Sequence, residues 1–181
     1  LFRSSTGAVG AVGTAGALRT DVDKLTVSSS AAVGSGDLVI SNTGNLAVVS
    51  VSTASNVSLT STGEITDATS DTVLDISAAG LTLVAATGVT GLETRVTTLN
   101  VIASSGDVSL VEADALTINS VDARGTASTV TLSVGGDVVA GSGSAANILA
   151  SSLDLTSTGA VGTAQNALRL DVDQIIQLSV S

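Results

Sequence analysis

Short runs in which aliphatic and small polar residues alternate recur along the whole chain. SGDLVI from Ser35, TGNLAV from Thr43, SGDVSL from Ser105 and GGDVVA from Gly135 share one form, with STGEI from Ser61 a weaker relative. Each begins with a small or polar residue, then glycine, then an acidic or amide residue, and continues as alternating aliphatics. Glycine followed by Asp or Asn is turn chemistry: it supplies a positive φ or a side chain that bonds back to the backbone. The period of two that follows is strand chemistry. The pattern therefore predicts turns at Gly36, Asp37, Gly44, Asn45, Gly106, Asp107, Gly136 and Asp137, each leading into a strand. Similar strands without the acidic residue are NVSLTS from Asn56, LTLVAA from Leu81, ALTINS from Ala115, TVTLSV from Thr129 and SLDLTS from Ser152.

A longer repeat lies over this short unit. Ser5 to Lys24 reads STGAVGAVGTAGALRTDVDK, and Ser157 to Gln174 reads STGAVGTAQNALRLDVDQ, about 150 residues on. A degenerate copy spans Thr87 to Leu99. Strands of this length and spacing suit a sandwich or barrel as well as a solenoid. Hairpin-forming Asn-Gly and Asp-Gly pairs are absent, however, and a long period requires equivalent stations along one axis. The expected fold is all-β, a single continuous parallel β-helix over residues 1–181. At roughly 20 to 27 residues per coil it would hold about seven to nine coils.

Composition narrows the core and the chemistry. The 181 residues include no Pro, Cys, Met, His, Trp or Tyr, and Phe2 is the one aromatic. The interior must therefore be filled by Val, Leu, Ile and Ala, which favours strands. A transmembrane β-barrel would need aromatic girdles that one Phe cannot supply, and no helix-length apolar run exists, so the chain is not expected to span a membrane. Six basic against sixteen acidic residues give a net charge of -10. The bases, Arg3, Arg19, Lys24, Arg95, Arg124 and Arg169, are too few and dispersed to track phosphates, so no nucleic acid is expected as a partner. Without Cys or His there is neither a disulfide framework nor a thiolate or imidazole metal site.

The repeated ALR-x-DVD segment carries the densest charge. As a corner, it turns Leu18 and Val22, and likewise Leu168 and Val172, inward, while Arg19, Asp21 and Asp23 project outward where they can pair. The alternative is calcium held by Asp21 with Asp23 and Asp171 with Asp173, although such a site needs six or more oxygens. No other cofactor is expected. Catalysis on a β-helix needs carboxylates converging on one cleft. Here Asp37, Asp107 and Asp137 recur at one position of a turn unit, and no nucleophile motif or phosphate-binding loop appears, so no enzyme is expected.

Segments such as STGAVGTAQNALRLDVDQI, SNTGNLAV and SSGDVSL resemble the repeats of filamentous-haemagglutinin-like large exoproteins, the giant bacterial adhesins, over essentially the whole chain. The resemblance implies a right-handed parallel β-helix at the bacterial cell surface or outside the cell, serving as the shaft of a filament. Its partners would be further coils of the same chain or stacked identical subunits. In the alternative function, one outward face binds a cell surface, a glycan or another ligand.

Overall fold

The structure, a computed structural model, describes residues 16–28, 36–143 and 145–181. Among the described residues fourteen strands occur in chain order: β1 (Leu18–Thr20), β2 (Lys24–Ser28), β3 (Leu38–Asn42), β4 (Leu46–Ser52), β5 (Val57–Ser61), β6 (Ile65–Asp67) and β7 (Ile76–Ala85). They continue as β8 (Val89–Ala103), β9 (Val108–Glu112), β10 (Leu116–Ala123), β11 (Thr129–Val134), β12 (Val138–Ala140), β13 (Ile148–Ser157) and β14 (Leu170–Val180). All belong to one hydrogen-bonded sheet, and every pairing is parallel. A parallel sheet needs a crossover between partners, and here the crossover is the rest of a coil. The fold is a β-solenoid of about seven turns.

One column of stacked residues shows the winding. Leu18, Ile40, Leu59, Leu83, Val101, Val121, Ile148 and Leu170 lie over one another through successive pairings, 18 to 27 residues apart in sequence. A second inward column reads Thr20, Asn42, Ser61, Ala85, Ala103, Ala123, Ala150 and Val172. Identical or similar side chains stacked in this way fill a narrow interior without gaps. The buried hydrophobic core is wholly aliphatic, from Leu25 to Leu155, with buried polar residues such as Asn42, Ser61, Asp75 and Glu112 set among it.

Strand β8 shows how alternation becomes a coil. Its buried residues are Val89, then Leu92, Thr94 and Val96, then Leu99, Val101 and Ala103. Period two holds within each group and slips by one residue between groups, so the chain turns a corner at each slip and begins a new inward face. Gly91, at the first slip, takes a positive φ of 73°. Register irregularities at Leu25/Thr26, Ile118/Ser120 and Leu153/Asp154 mark corresponding bends in other coils. Bulges accommodate such bends because one extra residue re-aims the following strand.

Candidate functional site

The turn residues singled out by their sequence lie at several different corners and make one kind of bond. Asp37 Oδ1 accepts the Asn56 backbone N–H at 3.1 Å, and Asn45 Oδ1 accepts that of Glu64 at 3.0 Å. Asp107 Oδ1 accepts the Thr129 N–H and Asp137 Oδ1 the Ala160 N–H, each at 2.8 Å. The acceptor and donor residues always occupy the same station one coil apart. In three cases the bond is reciprocated: Leu38, Leu46 and Val138 donate their N–H groups to the carbonyls of Asn56, Glu64 and Ala160. At a corner the backbone leaves the strand geometry, and the side-chain oxygen takes the N–H that the ladder would otherwise have satisfied.

The STG motif proves to be the upper half of this device. Ser61 accepts the Gly63 N–H at 3.0 Å and donates to the Gly44 carbonyl of the coil below. Ser157 likewise accepts from Gly159 at 3.1 Å and donates to the Gly136 carbonyl at 2.7 Å. Ser61-Thr62-Gly63 therefore seats on Gly44-Asn45, and Ser157-Thr158-Gly159 on Gly136-Asp137. Glycine is required because a Cβ on Gly63 would stand 2.1 Å from Asn45 Oδ1, and one on Gly159 would stand 2.2 Å from Asp137 Oδ1. Sequence reading finds both motifs but not their contact. Its signal is the spacing, 19 residues from Asn45 to Glu64 and 23 from Asp137 to Ala160.

The ALR-x-DVD segments form no comparable cluster. Leu18, Val22, Leu168 and Val172 pack half-buried against the core, while Asp21, Asp23, Asp171 and Asp173 are exposed. Arg169 does not pair with the neighbouring acids: its guanidinium donates to the carbonyls of Ala145 at 2.8 Å and Gly141 at 2.9 Å, tying down the turn before β13. Among the described residues the ion pairs are Arg95–Asp114, largely exposed, and Arg124–Asp122, in which Asp122 is half-buried.

The carboxylates that do converge were not predicted. Asp67, Asp75 and Glu93 bring oxygens within 4.8 Å of one another where β6, β7 and β8 meet. Asp75 is only 1% exposed. Its backbone carbonyl accepts from Val51 and its N–H donates to Glu93, while its Oδ2 accepts the Glu93 N–H at 3.0 Å. Burial, with the charges of Asp67 and Glu93 adding to it, pushes the Asp75 carboxyl up to about 7. Glu93 Oε2 is buried without a hydrogen-bond partner. Slight burial would raise Asp67, but hydrogen bonds from Thr69, Ser70 and Asp71 outweigh it and hold that carboxyl below its ordinary value. Asp67 thus serves its own loop. Each of the three carboxylates offers an oxygen to one point, and both oxygens of Asp67 already accept hydrogen bonds from its own loop.

A second buried carboxylate, Glu112, is 3% exposed. It accepts from the Val96 N–H at 3.1 Å, Thr94 Oγ1 at 2.8 Å and the Asp114 N–H at 3.2 Å. Burial raises its pKa, against which those bonds act. Asn42 and Asn147, each 1% exposed, bridge coils in the same way: Asn42 Nδ2 reaches the Val22 carbonyl at 3.1 Å, and Asn147 Nδ2 reaches that of Ile118 at 2.8 Å. No spacing rule flags these residues, because buried polar groups on strands look like outward-facing ones in sequence.

Comparison with known proteins finds no matching family model, curated protein or solved structure.

Proposed function

We propose that the chain is a structural segment of the shaft of an extracellular, cell-surface filament, of the filamentous-haemagglutinin-like adhesin kind that its repeats resemble. The observation that carries this reading is the unbroken stacking of columns through about seven turns, locked at the corners by side chains that bond to the next coil. Such a body grows in length by adding coils without changing its cross-section, since each coil contacts only its neighbours. Spacing something away from a surface is what that geometry does well, and the reading assigns no catalytic step. The acidic net charge of -10 keeps neighbouring rods apart. Immunogold labelling of intact source cells tests this: label along surface fibres is expected, and label confined to the cell interior would overturn it.

A second reading is favoured by one outward column, Val39, Ser58, Thr82, Asn100 and Ser120. It borders a groove of about 320 Å³ that Asp37, Asn56 and Thr98 also line. Aligned hydroxyl and amide groups match the hydrogen-bonding needs of a glycan chain. Binding on a glycan array that is abolished by Asn100→Ala would favour this reading, and an empty array would remove it.

A further inference from the structure

Asp67 closes β6, Asp75 stands just before β7, and Glu93 lies on β8 one coil further along. The backbone fixes two of the three. The Asp75 carbonyl accepts the Val51 N–H of the coil below at 2.6 Å, and its N–H donates to the Glu93 carbonyl of the coil above at 2.9 Å. Asp75 Oδ2 takes the Glu93 N–H in return, so neither acid can swing away without breaking ladder bonds. Asp67 is set by its own loop, through Thr69 and Asp71. Carboxylates that ligate metals are commonly steadied by such hydrogen bonds.

Crowded acids on a surface simply hydrate, and two observations set this group apart. Asp75 is 1% exposed. Glu93 turns its carboxylate to the same point, and its Oε2 is shut off from solvent with no hydrogen-bond partner. Buried carboxylates are ordinarily paired with a base or bound to a metal. The ion pairs of the described residues, Arg95–Asp114 and Arg124–Asp122, include none of the three. A cation is the one partner that answers all three acids at once.

The donor set selects the ion. All three ligands are hard carboxylate oxygens, and the chain has no His or Cys to favour a softer metal. Calcium holds its oxygens at about 2.3 to 2.6 Å, so two ligands of one ion stand up to about 5 Å apart. The three oxygens lie within 4.8 Å of one another and meet that span as they stand. Magnesium usually takes one or two carboxylates and keeps its waters, whereas calcium accepts three in an adaptable shell. Half-buried Asp67 leaves its side of the group open for water to complete that shell.

We propose that Asp67, Asp75 and Glu93 bind one calcium ion, which clamps the loop of residues 68–74 to the next coil. The site is separate from the exposed Asp21, Asp23, Asp171 and Asp173, to which the sequence pointed. It does not depend on the shaft reading, since a clamp between coils serves a solenoid of any function.

The test is calorimetric titration of the full chain, stripped with EDTA and dialysed, with calcium chloride and separately with magnesium chloride. One calcium per chain is expected, with a Kd on the order of 10⁻⁵ to 10⁻³ M and weaker magnesium binding. Asp75→Asn and Glu93→Gln keep the shape of each side chain and are expected to weaken calcium binding by at least about tenfold. The Asp171→Asn, Asp173→Asn double variant should bind as the parent does. Circular dichroism establishes that each variant is folded and follows its unfolding in urea. Calcium is expected to raise the urea midpoint of the parent and to leave that of Asp75→Asn nearly unchanged, so any advantage of the variant in EDTA shrinks once calcium is added. Absence of both binding heat and a midpoint shift up to about 10 mM calcium would overturn the proposal. So would equal binding by the parent and both single variants, or loss of binding in the Asp171, Asp173 double variant alone. Magnesium binding as tightly as calcium would overturn the choice of ion.

Discussion

Replacing Asp75 by Asn should stabilise the protein, and by an amount that depends on pH. Asp75 is 1% exposed, faces the Asp67 and Glu93 carboxylates, and has no cationic partner among the ion pairs of the described residues. Its carboxyl titrates near about 7 in the fold against an ordinary 3.8. A raised folded-state pKa means that the native protein binds the proton more tightly than the unfolded chain does. The stabilisation from this group is therefore complete below pH 3.8 and is lost as pH rises through about 7. A displacement of this size corresponds to about 4 kcal/mol, an upper bound that movement of the three acids apart will reduce. The amide keeps an oxygen for the Glu93 N–H, cannot ionise, and brings a donor to the otherwise unpartnered Glu93 Oε2. We expect Asp75→Asn to lie within about 0.5 kcal/mol of the parent at low pH and to exceed it by about 2 to 4 kcal/mol at pH 8. The chain has no Trp or Tyr, so urea unfolding is followed by circular dichroism. The parent also carries the raised Glu112, and only the difference between the two proteins isolates Asp75. A stability difference that stays flat from about pH 4 to about pH 8, or a less stable Asn variant at the upper end, would refute the reasoning.

Other substitutions test the core and the corners by the same unfolding measurement. Leu110→Ala, at a residue 3% exposed, should cost about 2 to 5 kcal/mol, whereas Val111→Ala beside it, 45% exposed, should stay within about 0.5 kcal/mol. Gly63→Ala drives a Cβ against Asn45 and should cost about 1 to 3 kcal/mol. Combining it with Asn45→Ala should cost less than the sum, since the side chain it strikes is then gone. Asp137→Ala removes the acceptor for the Ala160 N–H and should cost about 0.5 to 2 kcal/mol, most of which Asp137→Asn retains.

The alternating aliphatics and the Gly-Asx turns are local features, and the chain by itself determined from them that it makes short strands with an aliphatic core. The long repeat added the solenoid, because equivalent stations on one axis satisfy a recurring pattern of turns and strands. Leu18 and Leu168 correspond in that repeat, yet the ladder stacks Leu18 with Leu170. The two-residue offset keeps each side chain on its face, since strands have a period of two. What the tertiary structure alone decided is which groups meet between coils. Ser61 looks like any surface serine until the winding sets it over Gly44, and Gly63 until it lies against Asn45. Asp67, Asp75 and Glu93 are separated in sequence by a loop and most of a coil, and no local rule marks them as neighbours. Coil lengths vary from 18 to 27 residues, so the vertical partner of a residue follows from the accumulated winding below it rather than from any fixed spacing in the chain.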